Sequence, residues 1–463
     1  MRIKVKKMDK KIVLIGAGSA VFGPATLNDI YMSDILAGST ISLVDINEEK
    51  LNRVYDIVVK ENEIKGANFN IEKTTDRKTA LKDADFVVCS VENGDRFSLR
   101  WQDHKIPHRH GSTEMMAENG GPGGFFHSAR QIPMIVKIAK DAYKANPEVL
   151  FMNYSNPMSR ICLAIHRAVP ELNCVGLCHQ INLLLMHVGY ILDDSLQNLP
   201  SKEKLAKNKE YKENTKIVAG GLNHFAFVID MEDMRTGKNL MNTFNENVMK
   251  YYTKDKWDKF HFADLTFEIY KRTGWFPYVG DNHLAEYVQV AKDHTKYEDF
   301  DEWIEQMEQG GQGINNKLIR FHKRLKQGRY PKKGMLKMQD SGERAVSIME
   351  GLLEDKGNLE IVNIPNDGII DNLPRDLVIE CTGRIDKEGI HGVKLGKLHS
   401  SIAALLRIEA SIQDVCVEAI LKESKDLAIN CIAMDVNCGS FKMAEAIFDE
   451  MFELQKKYLP NFK

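Results

Sequence analysis

The feature that most limits how this chain can fold is a glycine turn at residues 16–20. The apolar run KIVLI ends at Ile15, GAGSA follows, a helical pattern runs through LNDIYMSDIL, and the apolar run TISLV leads into Asp45. Strand, turn, helix and strand in that order form one βαβ unit, which commits the chain to a parallel sheet. The alternation continues with a helix from about Glu48 to Lys65, a strand in ADFVVCSV, a helix in SARQIPMIVKIAKDAYKANP, and strands in VLFMNYS and CVGLC. Continuous apolar strands alternating with helices require a sheet covered on both faces. The fold expected is therefore α/β, a Rossmann-type and mainly parallel sheet over residues 1–198, followed by a second α+β domain over residues 199–463. There the charged stretch SKEKLAKNKEYKEN precedes KIVAGGLNHFAFVID, read as strand, Gly-Gly turn and strand. Polar helices around residues 255–330, short β segments in IVNIPNDGII and DLVIECTGRI, and a helical region from about Leu398 complete the reading.

In such a unit glycines let backbone N–H groups approach a pyrophosphate at a helix N-terminus, and an acid ending the second strand takes the ribose hydroxyls. Gly16, Gly18, Ser19 and Ala20 fill the turn, and Asp45 fills the acid position 27 residues after Gly18. Val21 stands where the third glycine of the motif usually lies, with Gly23 two residues on. A carboxylate at position 45 would repel a 2′-phosphate, so the cofactor expected is NAD and not NADP.

Composition narrows the partners. The net charge of −2 comes from 63 basic and 65 acidic residues that are well mixed, which leaves no footprint for nucleic acid or an anionic membrane. No apolar run approaches the ~20 residues that span a bilayer, and no signal core precedes the first strand, so the location expected is the cytoplasm. Eight cysteines scattered through apolar segments fit reduced thiols. Neither Cys174 with Cys178 nor Cys431 with Cys438 has a second pair at structural-zinc spacing.

Four clusters are too polar for their surroundings: Asn153-Tyr-Ser-Asn156-Pro157, Cys178-His179, Asn223-His224 and Gly280-Asp281-Asn282-His283. Each follows or interrupts a strand, where open α/β sheets collect their sites. Singly they are ordinary, Asn-Pro reading as a turn and a lone cysteine as a small core residue. Together, the order GAGSA, DIN, NGGPGG, NYSNP, GLCH and GLNH, with VNIPNDGIIDNLPRDLVIE near the C-terminus, resembles family 4 of the glycoside hydrolases from end to end. Those NAD-dependent enzymes stand outside the two-carboxylate scheme of most glycosidases.

The resemblance implies that a cysteine and a histidine, here Cys178 and His224, hold a divalent metal, usually manganese, against O2 and O3 of a sugar. Thiolate plus imidazole alone suits zinc or another softer ion, and the oxygens of sugar and water shift the preference to Mn2+. Asn153 and Asn156 fall to the cofactor, and Asn156, His179, Asn223 and Arg100 to the substrate. Neighbours on a strand point to opposite faces, which turns His179 away from the metal. The implied reaction starts with hydride transfer from C3 to NAD, which acidifies the C2 proton for removal by a side chain while the metal polarises the C3 ketone. The C1 oxygen then leaves, water adds to C1, and NADH returns the hydride. Asp281 in FPYVGDNHLAEY occupies the place of the base in some α-acting members, with Tyr278, Tyr287 and His283 competing. Asp103 in RWQDHKIPHRHG matches the position proposed as general acid. For both, a charge on an exposed helix is the alternative. His108 and Arg109 join Arg100 as candidates to orient the sugar.

GLCHQIN is similar to the branch of that family acting on unphosphorylated α-galactosides, α-glucosides and α-hexuronides, and no Arg or Lys cluster for a phosphate is identifiable. The activity expected is hydrolysis of an unphosphorylated α-galactoside or α-glucoside by a homodimer or homotetramer, with an α-glucuronide or α-galacturonide as the alternative. A malate- or lactate-type dehydrogenase would leave Cys178 and His224 without a role. A non-catalytic NAD sensor would leave all four polar clusters without one.

Overall fold

Strands β1 (Lys11–Ile15), β2 (Thr40–Val44), β3 (Asn70–Thr74), β4 (Phe86–Cys89), β5 (Leu150–Asn153) and β6 (Cys174–Gly176) pair in parallel in the order β3-β2-β1-β4-β5-β6. This is the Rossmann order, with its switch point between β1 and β4. Ile12, Val13, Val87, Val88, Phe151 and Met152 are wholly buried, as both-face coverage demands. The computed structural model that shows this describes residues 9–19, 22–252, 264–294, 298–336 and 341–463. Ala20 and the start of the helical region expected from residue 255 lie outside the described residues.

The second half of the chain extends the same sheet. Strands β7 (Thr215–Leu222), β8 (Phe225–Asp233), β9 (Asn358–Pro365), β10 (Val378–Asp386) and β11 (Gly389–Gly392) bring it to eleven strands. Here the pairing is antiparallel: β9 meets β6 through Asn363 and Gly176, β10 lies between β9 and β7, and β8 forms the far edge. The change from parallel to antiparallel therefore falls beside β6, one residue before Leu177-Cys178.

One local expectation is corrected. Strands β7 and β8 pair out to Leu222 opposite Phe225, so the hairpin turns at Asn223-His224 and not at Gly220-Gly221. The glycines serve the pairing instead, since a Cβ on Gly221 would lie 2.6 Å from the Ala226 Cα. His224 adopts a φ of +60°, a left-handed conformation that few non-glycine residues take outside turns. Packing around the hairpin tip thus fixes a histidine where a relaxed turn would favour glycine or asparagine.

Helices Arg96–Arg109 and Gly121–Ala145 pack together, and the C-terminal helix Phe441–Gln455 lies against the first of them. Among the described residues no helix is long and apolar enough to cross a membrane.

Candidate active site and metal centre

The glycine turn is tightly enclosed. Gly16 has a φ of +90°, and a Cβ there would run into the Ser90 backbone, so only glycine fits. The Asp45 carboxylate accepts the Gly18 N–H at 2.9 Å and the Asn47 N–H at 2.8 Å, joining the end of β2 to the turn after β1. A Cβ on Gly18 would lie 2.6 Å from Asp45 Oδ2. Beside it Ile46 is 95% exposed, an apolar side chain bare at the place where the dinucleotide's adenosine end would lie.

The expected metal pair is also together. Cys178 follows β6, His224 stands at the β7–β8 hairpin tip, and Cys178 Sγ lies 3.3 Å from His224 Nε2. An ion roughly 2.0–2.3 Å from a nitrogen and a sulfur sets those atoms about 3.1–3.6 Å apart, for angles between a right angle and the tetrahedral value. The spacing therefore fits one shared cation. His224 Nδ1 lies 2.8 Å from the Asn119 amide nitrogen, while Asn119 Oδ1 is buried without a partner. The tautomer a ligand needs, with Nδ1–H donating and the Nε2 lone pair facing Cys178, requires this amide turned over, at the expense of its 3.4 Å bond to Glu286 Oε1. Burial pushes the Cys178 thiol up, with Glu380 adding to it, so a thiolate there depends on a neighbouring cation. Burial holds His224 well below the usual histidine range, with His283 contributing.

Behind these two side chains lies a buried network that sequence reasoning largely missed. Glu118, His224, His283 and Glu286 present ligand atoms within 4.8 Å of one another. Glu286 Oε2 accepts the backbone N–H groups of Glu118, Asn119 and Gly120 at 2.8, 2.6 and 3.0 Å, and its Oε1 lies 3.1 Å from His283 Nδ1. Arg100 pairs with Glu118 at 3.0 Å, and its Nη2 has no partner. Burial would raise the Glu118 carboxyl, but Arg100 and the neighbouring His283 outweigh it and hold the group well below the carboxylate range. Asn223 donates to Glu380 at 2.7 Å, as do Asn363 at 3.0 Å and the Tyr278 hydroxyl, which makes Glu380 a second buried support behind Cys178. The signal was present as charged residues inside apolar or glycine-rich runs: Glu118 just before GGPGG, Glu286 in NHLAEY and Glu380 in VIECTG.

His179 turns outward, its side chain 64% exposed, and its Nδ1 lies 3.7 Å from Glu343 Oε1. Burial, with Asp29 nearby, pushes the Glu343 carboxyl up to about 7, within reach of proton exchange near neutral pH. Asn153 spends its amide on its own turn, accepting from Ser155 N at 3.2 Å and donating to Ser155 O at 2.9 Å. Asn156 follows, half-buried, at a cis bond to Pro157.

Both expected catalytic acids are held by partners within the fold. Asp103 is fully buried, accepts from Arg130 at 2.8 and 2.5 Å and from Gln455 at 3.0 Å, and lies outside the metal network. Both of its oxygens are engaged and no solvent reaches it, which does not suit a general acid. Asp281 accepts the N–H groups of Leu265 and Thr266 at 2.8 and 3.0 Å and the Thr266 hydroxyl at 2.5 Å. It caps the helix Asp264–Thr273 from outside, a use of a carboxylate that competes with proton abstraction. Arg109 pairs with Glu450 at the surface and His108 faces the Glu114 carbonyl, so neither reaches the network.

The model described as family 4 glycosyl hydrolase matches residues 11–193, and that of the family's C-terminal domain matches residues 219–438. An α-glucosidase from Erwinia rhapontici is 35% identical, covering 98% of this chain and 100% of the relative. An α-galacturonidase from Thermoanaerobacter italicus is 28% identical, covering 98% of both. A 6-phospho-α-glucosidase from gut microorganisms, solved with NAD and Mn2+, shares the fold at a TM-score of 0.80 and 19% identity, covering 98% of this chain and 100% of that one.

Proposed function

This chain belongs to glycosyl hydrolase family 4, and from that premise we propose that it hydrolyses an unphosphorylated α-glucoside with NAD and a divalent metal, manganese first, as cofactors. The observation that carries the reading is the Cys178–His224 pair at ligand spacing, with both residues braced from behind. When bound, NAD supplies a reversible hydride acceptor at C3 of the sugar, and the metal supplies a Lewis acid at its oxygens. Gly16, Gly18 and Ser19 would hold the pyrophosphate, and Asp45 with Ile46 the adenosine end. Cys178 and His224 would hold the metal, and Asn119 keeps the imidazole in the ligating tautomer. Arg100, His179 and Asn223 border the sugar. The exposed His179 with the Glu343 carboxyl behind it is the pair we assign to proton exchange with the departing alcohol. Asp103 and Asp281 we assign to holding helices together.

The α-glucosidase relative supports glucose as the sugar. Arg100 is paired with Glu118 and Arg344 with Glu360, so the charge of each cation is already balanced by a carboxylate, which disfavours a doubly charged 6-phosphate. An α-galacturonide is the second reading, favoured by the α-galacturonidase relative and by the unpartnered Nη2 of Arg100. Exposed Ile408, Leu421 and Phe441 on the C-terminal helices support a homodimer or homotetramer, and eight unpaired cysteines support a cytoplasmic setting.

The test is release of 4-nitrophenol from its α-glucoside, α-galactoside, α-glucuronide and α-galacturonide, with NAD, Mn2+ and a thiol reductant together and then each omitted. The reading expects fastest release from the α-glucoside and dependence on all three additions. Steady NADH formation from a hydroxy acid, with no release from any glycoside, would sink it.

A further inference from the structure

The helix Glu48–Lys65 follows β2, and the helix Arg96–Arg109 follows β4. In the order β3-β2-β1-β4-β5 the crossovers from β2 to β3 and from β4 to β5 run in opposite directions, so right-handed connections put their helices on opposite faces of the sheet. The helix Glu298–Lys326 touches both. Its first half lies along Arg96–Arg109: Phe300 stacks on His104 at 3.6 Å, the Arg100 guanidinium lies 5.5 Å from the Trp303 ring, and a Cβ on Gly311 would lie 3.8 Å from Phe97 Cζ. Its second half follows Glu48–Lys65: Asn315 accepts from Arg53 at 3.3 Å, and His322 and Lys326 meet Asp56 at 2.8 and 2.6 Å. Residues 311–315 are therefore where it passes from one helix to the other. A helix that joins the first turns of two elements on opposite faces crosses the carboxyl edge of the sheet, and between β2 and β4 that edge carries the adenosine half of a dinucleotide. The crossing leaves room: Ile46, directly after Asp45, is 95% exposed, Ile314 is 41% exposed, and a Cβ on Gly310 or Gly313 would meet no described atom within 4 Å. One apolar side chain at the sheet edge and one on the crossing helix are thus left bare, and a flat, largely apolar base is the chemistry that would cover both.

We propose that residues 310–314 of the helix Glu298–Lys326 form the outer wall of the adenosine subsite, so that the adenine base of NAD lies between Ile46 and Ile314. The cofactor site is then completed by the second half of the chain, which the glycine turn and Asp45 do not reach. The inference rests on the reading of the glycine turn and Asp45 as the site of NAD.

The full-length wild type is photolabelled with NAD carrying a 2-azidoadenine, with and without excess NAD, and the labelled peptides are mapped by mass spectrometry. Label that NAD protects is expected in two peptides, one holding Ile46 and one holding residues 310–314. Protected label at Ile46 with none in residues 310–314 removes the wall alone, whereas no protected label at either place brings down the glycine-turn reading with it. Calorimetric titration gives a second measurement on Ile314→Glu, a substitution that an exposed helical position tolerates. Affinity for NAD and for ADP-ribose should fall about tenfold, since a carboxylate would face the base, while Mn2+ affinity and the unfolding midpoint stay at wild-type values. NAD affinity equal to wild type in Ile314→Glu overturns the inference.

Discussion

Arg100 and Asp103 sit one turn apart on the helix Arg96–Arg109, and each enters a buried ion pair of different construction. Asp103 meets Arg130 through two parallel bonds, Gln455 adds one bond to each of them, and three helices are tied at one point, with Arg130 Nε left unpartnered. Arg100 meets Glu118 through one nitrogen, donates from Nε to the Met116 carbonyl, and keeps Nη2 unpartnered. The value of the first pair is that breaking it strands a buried charge at a helix junction. The second shares its carboxylate with the buried cluster of Glu118, His224, His283 and Glu286. Burial and a spare donor therefore do not by themselves identify a catalytic charge; what counts is which groups stand around it.

Four experiments can break or sharpen that contrast. Arg130→Met strands Asp103 and should cost about 3–5 kcal/mol of stability in chemical denaturation, with the specific activity of the folded fraction unchanged. Lost activity at full stability would instead return Asp103 to the chemistry. Around the second pair, Glu286→Ala releases the backbone N–H groups of Glu118, Asn119 and Gly120, and with them the Asn119 side chain that faces His224 Nδ1. Mn2+ affinity should fall about 10- to 100-fold, and equal affinity would detach this network from the metal.

Asp281→Ala removes a helix cap and should cost about 0.5–2 kcal/mol in thermal or chemical unfolding, with kcat within a few-fold of wild type. A drop in kcat of about a thousandfold at unchanged stability would restore it as the base. The smallest effect concerns His104, next to Asp103 and stacked on Phe300 at 3.6 Å. Burial, with His108 nearby, holds its pKa down at about 2. The unfolded chain takes up a proton near pH 6.5 that the folded chain refuses, so this contribution is complete above that pH and is lost as pH falls from 6.5 toward 2. In His104→Phe the acid-side slope should flatten, by about 1 kcal/mol at pH 5.5. Parallel pH curves for the two proteins would contradict it.

The parallel half of the sheet was legible because each βαβ unit writes its own pattern locally, and Asp45 could be paired with Gly18 from spacing alone. Cys178 and His224 were legible only through a resemblance covering the whole chain, since 46 residues separate them and the hairpin that joins them was misplaced. Gly220-Gly221 looked like the turn because glycine is the usual bearer of positive φ, but tertiary packing imposed that conformation on His224. The partners of Asp281 and Asp103 were not legible because a sequence shows a carboxylate but not what holds it, here a helix terminus and an arginine from a neighbouring helix. Glu286 and Glu118 were passed over for the converse reason, being residues that act only through loops brought together by folding.

Cleavage through oxidation at C3 and loss of the C2 proton is tested by hydrolysis of the α-glucoside in D2O, followed by mass and NMR analysis of the released sugar. Deuterium is expected at C2 of the product, with incorporation and release both abolished when NAD is withheld. Release of a sugar carrying no deuterium at C2, at the same rate with and without NAD, would contradict it.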